Sequence, residues 1–194
     1  MEPISRPEWS SPIQVGVHAQ SFYSALPEQP TREILQALCE DPKLLSFLKR
    51  RPLGRLEFSD RLPASNWNGE YDRSTGDIVV NAFRAPDTYG EEFVSPELAS
   101  VSGAGRNLVE AMQRSLYHEI GHHVLEVAGP EAEHQVARLL RSGRVFPVST
   151  RATRRGAEYF SETFSAYRFE DSLADKDPEG YYMVEAILGL VGSL

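Results

Sequence analysis

The run His118-Glu119-Ile120-Gly121-His122 constrains this chain more than any other feature, because it sits inside a stretch whose apolar spacing demands one long helix. Leu108, Met112, Leu116, Ile120, Val124 and Val127 recur three and four positions apart, the repeat of a buried helical stripe. The pattern predicts a helix from about Arg106 to Ala128, ended by Gly129-Pro130. At 3.6 residues per turn, positions 118 and 122 lie about 40° apart around such a helix and roughly 6 Å apart along it, so both imidazoles can reach one ion. Zinc takes histidine nitrogens at about 2.0–2.1 Å. Glu119 faces the same cleft, where a carboxylate not bound to the metal can accept a proton from metal-activated water and pass it to a leaving amine. The plain alternative is an ordinary amphipathic helix with two satisfied histidines on its surface.

A catalytic zinc site needs three protein ligands and an open position. Leu125 and Ala128 stand where an extended motif would place Gly and a third His, which excludes the metzincin arrangement. Glu126 lies a further 6 Å or so along the helix, suited to a supporting or surface role. Glu131 and Glu133 follow the break too closely to fold back and are read as the start of the next helix. The segment Gly156–Phe169 reads as another amphipathic helix, with aromatics at 160, 164 and 167 and carboxylates at Glu158 and Glu162 on one face. If Glu158 ligates the metal, Glu162 lies one turn deeper, where it can accept the free N–H of a ligating histidine. Otherwise the two glutamates are solvated charges on an exposed face.

His-Glu-Ile-Gly-His followed, thirty-six positions after His122, by Glu-Tyr-Phe-Ser-Glu-Thr-Phe resembles the gluzincin zinc peptidases, and among them the catalytic domain of anthrax lethal factor, Pro-Pro endopeptidases and related phage- or toxin-associated domains. The resemblance spans about Arg106 to Gly189. It implies an α+β zincin-like fold, with a small twisted mixed sheet packed on an active-site helix and a helical C-terminal part. It implies an endopeptidase acting on protein or peptide substrates, with Zn2+ as cofactor, His118, His122 and Glu158 as ligands, Glu119 as general base and Glu162 supporting a ligand histidine. One position departs: Arg151 stands where the family often carries an oxyanion-stabilising tyrosine. Arg151, Arg154 or Arg155, or Tyr71, Tyr159 or Tyr167, are the alternatives for that role, since any donor aimed at the developing charge would serve.

Upstream, Gly69–Phe83 reads as a hairpin with a turn rich in Asp, Ser and Gly. By the resemblance, Ile78 to Phe83 would be the edge strand that pairs with extended substrate, with Ile78, Val79, Val80 and Asn81 as binding residues; the alternative is an ordinary internal strand. Arg84–Gly105, rich in Pro, Gly, Ser and acidic residues, is a loop over the cleft or a long connection. Leu53–Leu62 suggests a first strand. Thr31 is expected to cap a helix through Cys39, and Asp41-Pro42 to open another through Arg50.

Residues 1–30, with five prolines and no periodic apolar pattern, read as an N-terminal arm or linker, leaving 31–194 as one metallopeptidase domain. A formal charge of −8 argues against nucleic acid as a partner. No run of eighteen apolar residues spans a bilayer, and the first residues lack a secretion signal, so a cytoplasmic location or delivery by a specialised injector or larger particle is expected. The lone Cys39 excludes an internal disulfide and is read as a small buried hydrophobe rather than an inhibitory zinc ligand. His123 points about 100° from His122 and is read as a rim residue or a hydrogen-bonded core histidine; His18 and His134 are assigned to the surface. Two rivals to a peptidase of this kind are a catalytically silent zinc-binding component of a particle or secretion system, and an anti-repressor type of regulatory peptidase.

Overall fold

The computed structural model describes residues 14–18, 28–59, 69–81 and 108–193. In chain order these form β1 (Gln14–His18), α1 (Glu28–Cys39), α2 (Pro42–Arg50), β2 (Arg55–Ser59), β3 (Gly69–Asp72), β4 (Asp77–Asn81), α3 (Leu108–Ala128), α4 (Pro130–Arg141), α5 (Gly156–Phe169), α6 (Leu173–Lys176) and α7 (Pro178–Ser193). The result is a mixed α+β fold, mostly helical beyond the sheet.

Local chemistry accounts for several boundaries. The Asp41 side chain accepts from the Leu44 amide at 3.0 Å and Pro42 opens α2, which buries Leu44, Phe47 and Leu48. Helix α1 begins at Glu28, so Thr31 lies within its first turns instead of capping it. Pro30 is tolerated there because the first four amides of a helix have no partner inside it. Asp72 shapes the turn between β3 and β4: its carboxylate accepts from the Ser74 amide at 2.8 Å and from the Ser74 hydroxyl at 2.6 Å.

The sheet runs β1-β2-β4-β3, with β1, β2 and β4 parallel and β3 antiparallel to β4. Strand β1 lies inside the stretch expected to be an arm. Its alternation of Val15 and Val17 is the strand signal within that proline-rich composition. The order also corrects the reading of β4. Ile78, Val79 and Val80 pair with Leu56, Glu57 and Phe58 on one side and with Tyr71, Glu70 and Gly69 on the other, while Asn81 pairs with Ser59. A strand bonded on both sides has no row of free amides to offer a peptide, so Ile78–Asn81 is not an open edge; among the described residues β1 and β3 stand at the edges of the sheet.

Registry then carries the sheet to the helix. Phe58, Val80 and Gly69 form one cross-strand row and Leu56, Ile78 and Tyr71 the next, with the four aliphatic and aromatic members of β2 and β4 fully buried. Helix α3 packs on β3 and β4 and also on α1, α4, α5 and α7, which buries Met112, Leu116, Ile120 and Val124 on the predicted stripe and Tyr117 and Leu125 outside it. No helix among the described residues is long and apolar enough to cross a membrane.

Candidate metal centre

Helix α3 presents His118, Glu119 and His122 to one small volume, their ligand atoms all within 4.8 Å of one another, a group that could hold a metal ion. His118 and Glu119 are buried and His122 partly so. The Nε2 atoms of His118 and His122 stand 3.2 Å apart. Glu158 arrives from α5, with Oε2 3.5 Å from His118 Nε2 and Oε1 3.7 Å from His122 Nε2. Two donors bound tetrahedrally at about 2.05 Å are separated by roughly 3.3 Å, so this triangle of imidazoles and carboxylate has the size that a zinc-like ion requires. Glu162, one turn along α5, has Oε1 3.6 Å from His118 Nδ1, the nitrogen facing away from the cluster.

Small residues bring the two helices this close. Gly121 lies between the histidines, Ser161 between the glutamates, and α3 and α5 cross there. A Cβ on Gly121 would stand 2.9 Å from the Ser161 Cα, inside any tolerable contact. The sheet forms the other wall. A Cβ on Gly69 would lie 2.8 Å from both Cγ and Oε1 of Glu119, so with any other residue there the Glu119 side chain would have to shift. Tyr71, two residues on and on the same face, stacks on His122 with ring planes 3° apart. Gly69 was not singled out from the sequence, where only its place at the head of the predicted hairpin marks it.

The remaining histidines and carboxylates serve the scaffold. His123 is a buried, hydrogen-bonded histidine: its Nε2 donates to the Arg51 carbonyl at 3.0 Å, which makes Nδ1 the acceptor for the Tyr71 hydroxyl at 3.1 Å. His134 is exposed. The side chains of His18, Cys39 and Asn81 and the whole of Arg84–Gly105 lie outside the described residues. Arg73 on the hairpin turn pairs with Glu126 at 3.3 Å and with Glu133, and Glu131 pairs with Arg138 on the surface of α4. None of the three glutamates approaches the histidines as Glu158 does.

Electrostatically the site is short of positive charge. Burial raises Glu119 to about 7, helped by Glu158 and Glu162 and opposed by His118 and Arg151. Burial lowers His122, and with the charge on His118 it falls to about 3. Burial also works against a charged His118, yet the carboxylates of Glu158, Glu162 and Glu119 around it raise it above its usual value. The two shifts run in opposite directions, so of the two imidazoles His118 is the one whose positive charge the surrounding carboxylates favour. Glu158 is lowered to about 2: burial opposes this, but His118, Arg151 and His122 outweigh it. Glu158 Oε2 is buried and accepts no hydrogen bond of good geometry; its near neighbours are Arg151 Nε, an ion-pair contact at 2.7 Å, and His118 Nε2 at 3.5 Å. A buried carboxylate oxygen in that state is fitted to a cation.

No family model matches this chain, and comparison with the curated proteins finds no match.

Proposed function

We propose that the chain is a zinc-dependent endopeptidase of the zincin type, with His118, His122 and Glu158 holding the ion. The observation that carries this reading is the convergence of two helices on one small volume, with the imidazole Nε2 atoms 3.2 Å apart and the two oxygens of Glu158 3.5 Å from one and 3.7 Å from the other. Bound there, zinc would polarise a peptide carbonyl and make water acidic enough to lose a proton near neutral pH.

Glu119 is the proton carrier. It sits buried beside the ligands without being needed to complete the ligand set, where a carboxylate can take a proton at Oε and return it to a departing amine. Gly69 confines that carboxylate from the sheet side, which limits its rotamers and keeps it aimed at the ligand cluster. Glu162 faces the Nδ1–H of His118 and so favours the tautomer whose Nε2 lone pair points into the triangle. Tyr71 stacks on His122 and limits its rotation. The likeness of the two motifs to gluzincins agrees with these roles, and it assigns cleavage to a protein or peptide chain laid along the cleft.

The decisive variant is Glu119→Gln. Zinc content should stay at one per chain while hydrolysis of a pool of unstructured peptides falls about 10²–10⁴-fold, the usual worth of a general base. A wild-type protein that binds zinc and cleaves nothing in that pool, with the variant indistinguishable from it, would favour the silent zinc-binding component instead.

A further inference from the structure

We infer that Arg151 is the catalytic donor that binds the oxyanion of the tetrahedral intermediate, an assignment that rests on the peptidase reading above. Six side chains qualified by residue type, and the fold disqualifies five. The Tyr159 hydroxyl donates to Asp177 at 2.7 Å inside the core, on the side of α5 away from the histidines. The Tyr167 hydroxyl donates to Glu185 of α7. Tyr71 lies beside His122 but spends its proton on His123 Nδ1, whose other nitrogen is already committed to the Arg51 carbonyl. Arg154 and Arg155 are exposed.

Of the six, Arg151 is the one that enters the site. Its Nε lies 2.7 Å from Glu158 Oε2, and its charge is felt by Glu119, Glu158 and Glu162 together. The guanidinium carries five N–H donors and meets Glu158 from its Nε side, which leaves the terminal NH2 groups to meet an oxygen on the substrate. Charge accounting points the same way. Glu119, Glu158 and Glu162 bring three negative charges, which a divalent ion and Arg151 balance. When water adds to the peptide carbonyl, its proton passes to Glu119, the carbonyl π pair moves onto oxygen, and one negative charge has shifted from Glu119 to that oxygen. The site total is unchanged, and the fixed guanidinium now faces the new charge without any group having to be brought in from solvent. Collapse of the intermediate returns the oxyanion's electron pair to the carbonyl and breaks the C–N bond, whose pair leaves on nitrogen and takes up the proton from Glu119.

The test uses the full chain loaded with Co2+, whose visible absorption reports binding at the metal, and two small probes: inorganic phosphate, a tetrahedral anion, and acetohydroxamate, a planar chelator. Wild type, Arg151→Met and Arg151→Lys are compared, with metal stoichiometry and thermal unfolding measured for each. The expected result is one metal per chain in all three, phosphate affinity at least 10-fold weaker in R151M and partly restored in R151K, and acetohydroxamate affinity changed less than 3-fold. Peptide turnover should fall about 10²–10³-fold in R151M. Unchanged phosphate affinity in R151M, equal losses for both probes, or no phosphate response in wild type would overturn the assignment while the metal reading stands. A wild type that takes up no metal would overturn both.

Discussion

Two neighbouring residues of α5 feed two buried carboxylate clusters, and the clusters are built to opposite ends. Tyr159 reaches Asp177, which is fully buried and accepts from the Tyr159 hydroxyl at 2.7 Å, the Gly180 amide at 3.2 Å and the Phe146 amide at 3.3 Å. That carboxylate closes the start of α7, and its neighbours leave it nothing further to bind. Glu158, one residue earlier, faces α3, with Oε2 buried against Arg151 and His118 and Oε1 turned to His122. Burial costs both carboxylates their hydration. Asp177 recovers it from three directed hydrogen bonds, whereas Glu158 has the Arg151 ion pair and longer contacts to two imidazoles, and this difference separates architecture from candidate site.

The largest effect should come from exchanging which cluster is broken. With free zinc at about 1,000 times its dissociation constant, binding adds roughly 4 kcal/mol to wild-type stability, visible as a fall in melting temperature on adding chelator. In Glu158→Gln that chelator response should disappear. In Asp177→Ala the protein should lose about 1–3 kcal/mol from stranding the Tyr159 hydroxyl and two amides, yet keep the full chelator response. A chelator response lost in D177A, or kept in E158Q, would erase the distinction.

The helix crossing supports only one of the two clusters, so Gly121→Ala sharpens the contrast further. The added methyl must push α5 away from α3 at Ser161, at a cost of about 1–3 kcal/mol, and zinc affinity should weaken beyond what that loss of stability alone produces. Isothermal titration with zinc, at a temperature where the variant is fully folded, checks it. Affinity equal to wild type would mean that the crossing does not set the ligand spacing.

Proton competition gives the next effect. Metal binding requires His118 to lose its proton, and Glu158, Glu162 and Glu119 hold that proton above the ordinary histidine value against the pull of burial. Zinc affinity should therefore be full above this raised value and fall about tenfold per pH unit below it, with the bend above about 6.5. A bend at or below 6.5 in zinc titrations across pH would show that the carboxylates do not hold the proton. The smallest effect belongs to Tyr71→Phe, which removes the hydroxyl from His123 Nδ1 and should cost about 1 kcal/mol in denaturant unfolding, with zinc affinity unchanged within about 3-fold. Turnover falling about 10²-fold in that variant would move the oxyanion role from Arg151 to Tyr71.

Much of the scaffold was legible because its signals are local. Asp41-Pro42 marks the start of α2, the Asp72–Gly76 turn marks the hairpin, and Gly129-Pro130 separates α3 from α4, each through backbone chemistry contained in a few residues. The pairing of His118 and His122 with Glu158 and Glu162 was legible for a related reason, since helical periodicity puts each pair on one face. Strand order was not, because hydrogen-bonding partners lie far apart in sequence. The β-branched run of β4 reads alike as an edge or a centre, and β1 hides a two-residue alternation among prolines. Gly69 and Ser161 were unreadable for another reason. Their importance comes from what another segment brings against them, Glu119 in one case and Gly121 in the other, and neither residue type announces that contact.

The central claim is that two imidazoles and one carboxylate from separate helices share a single zinc ion. X-ray absorption at the zinc edge, on purified protein with its metal content measured, addresses it directly. The account predicts one zinc per chain with a first shell of two histidine nitrogens and light oxygen donors at about 2.0–2.2 Å, and loss of that shell in His118→Ala. Absence of bound zinc, or a sulfur neighbour at about 2.3 Å from Cys39, would contradict it.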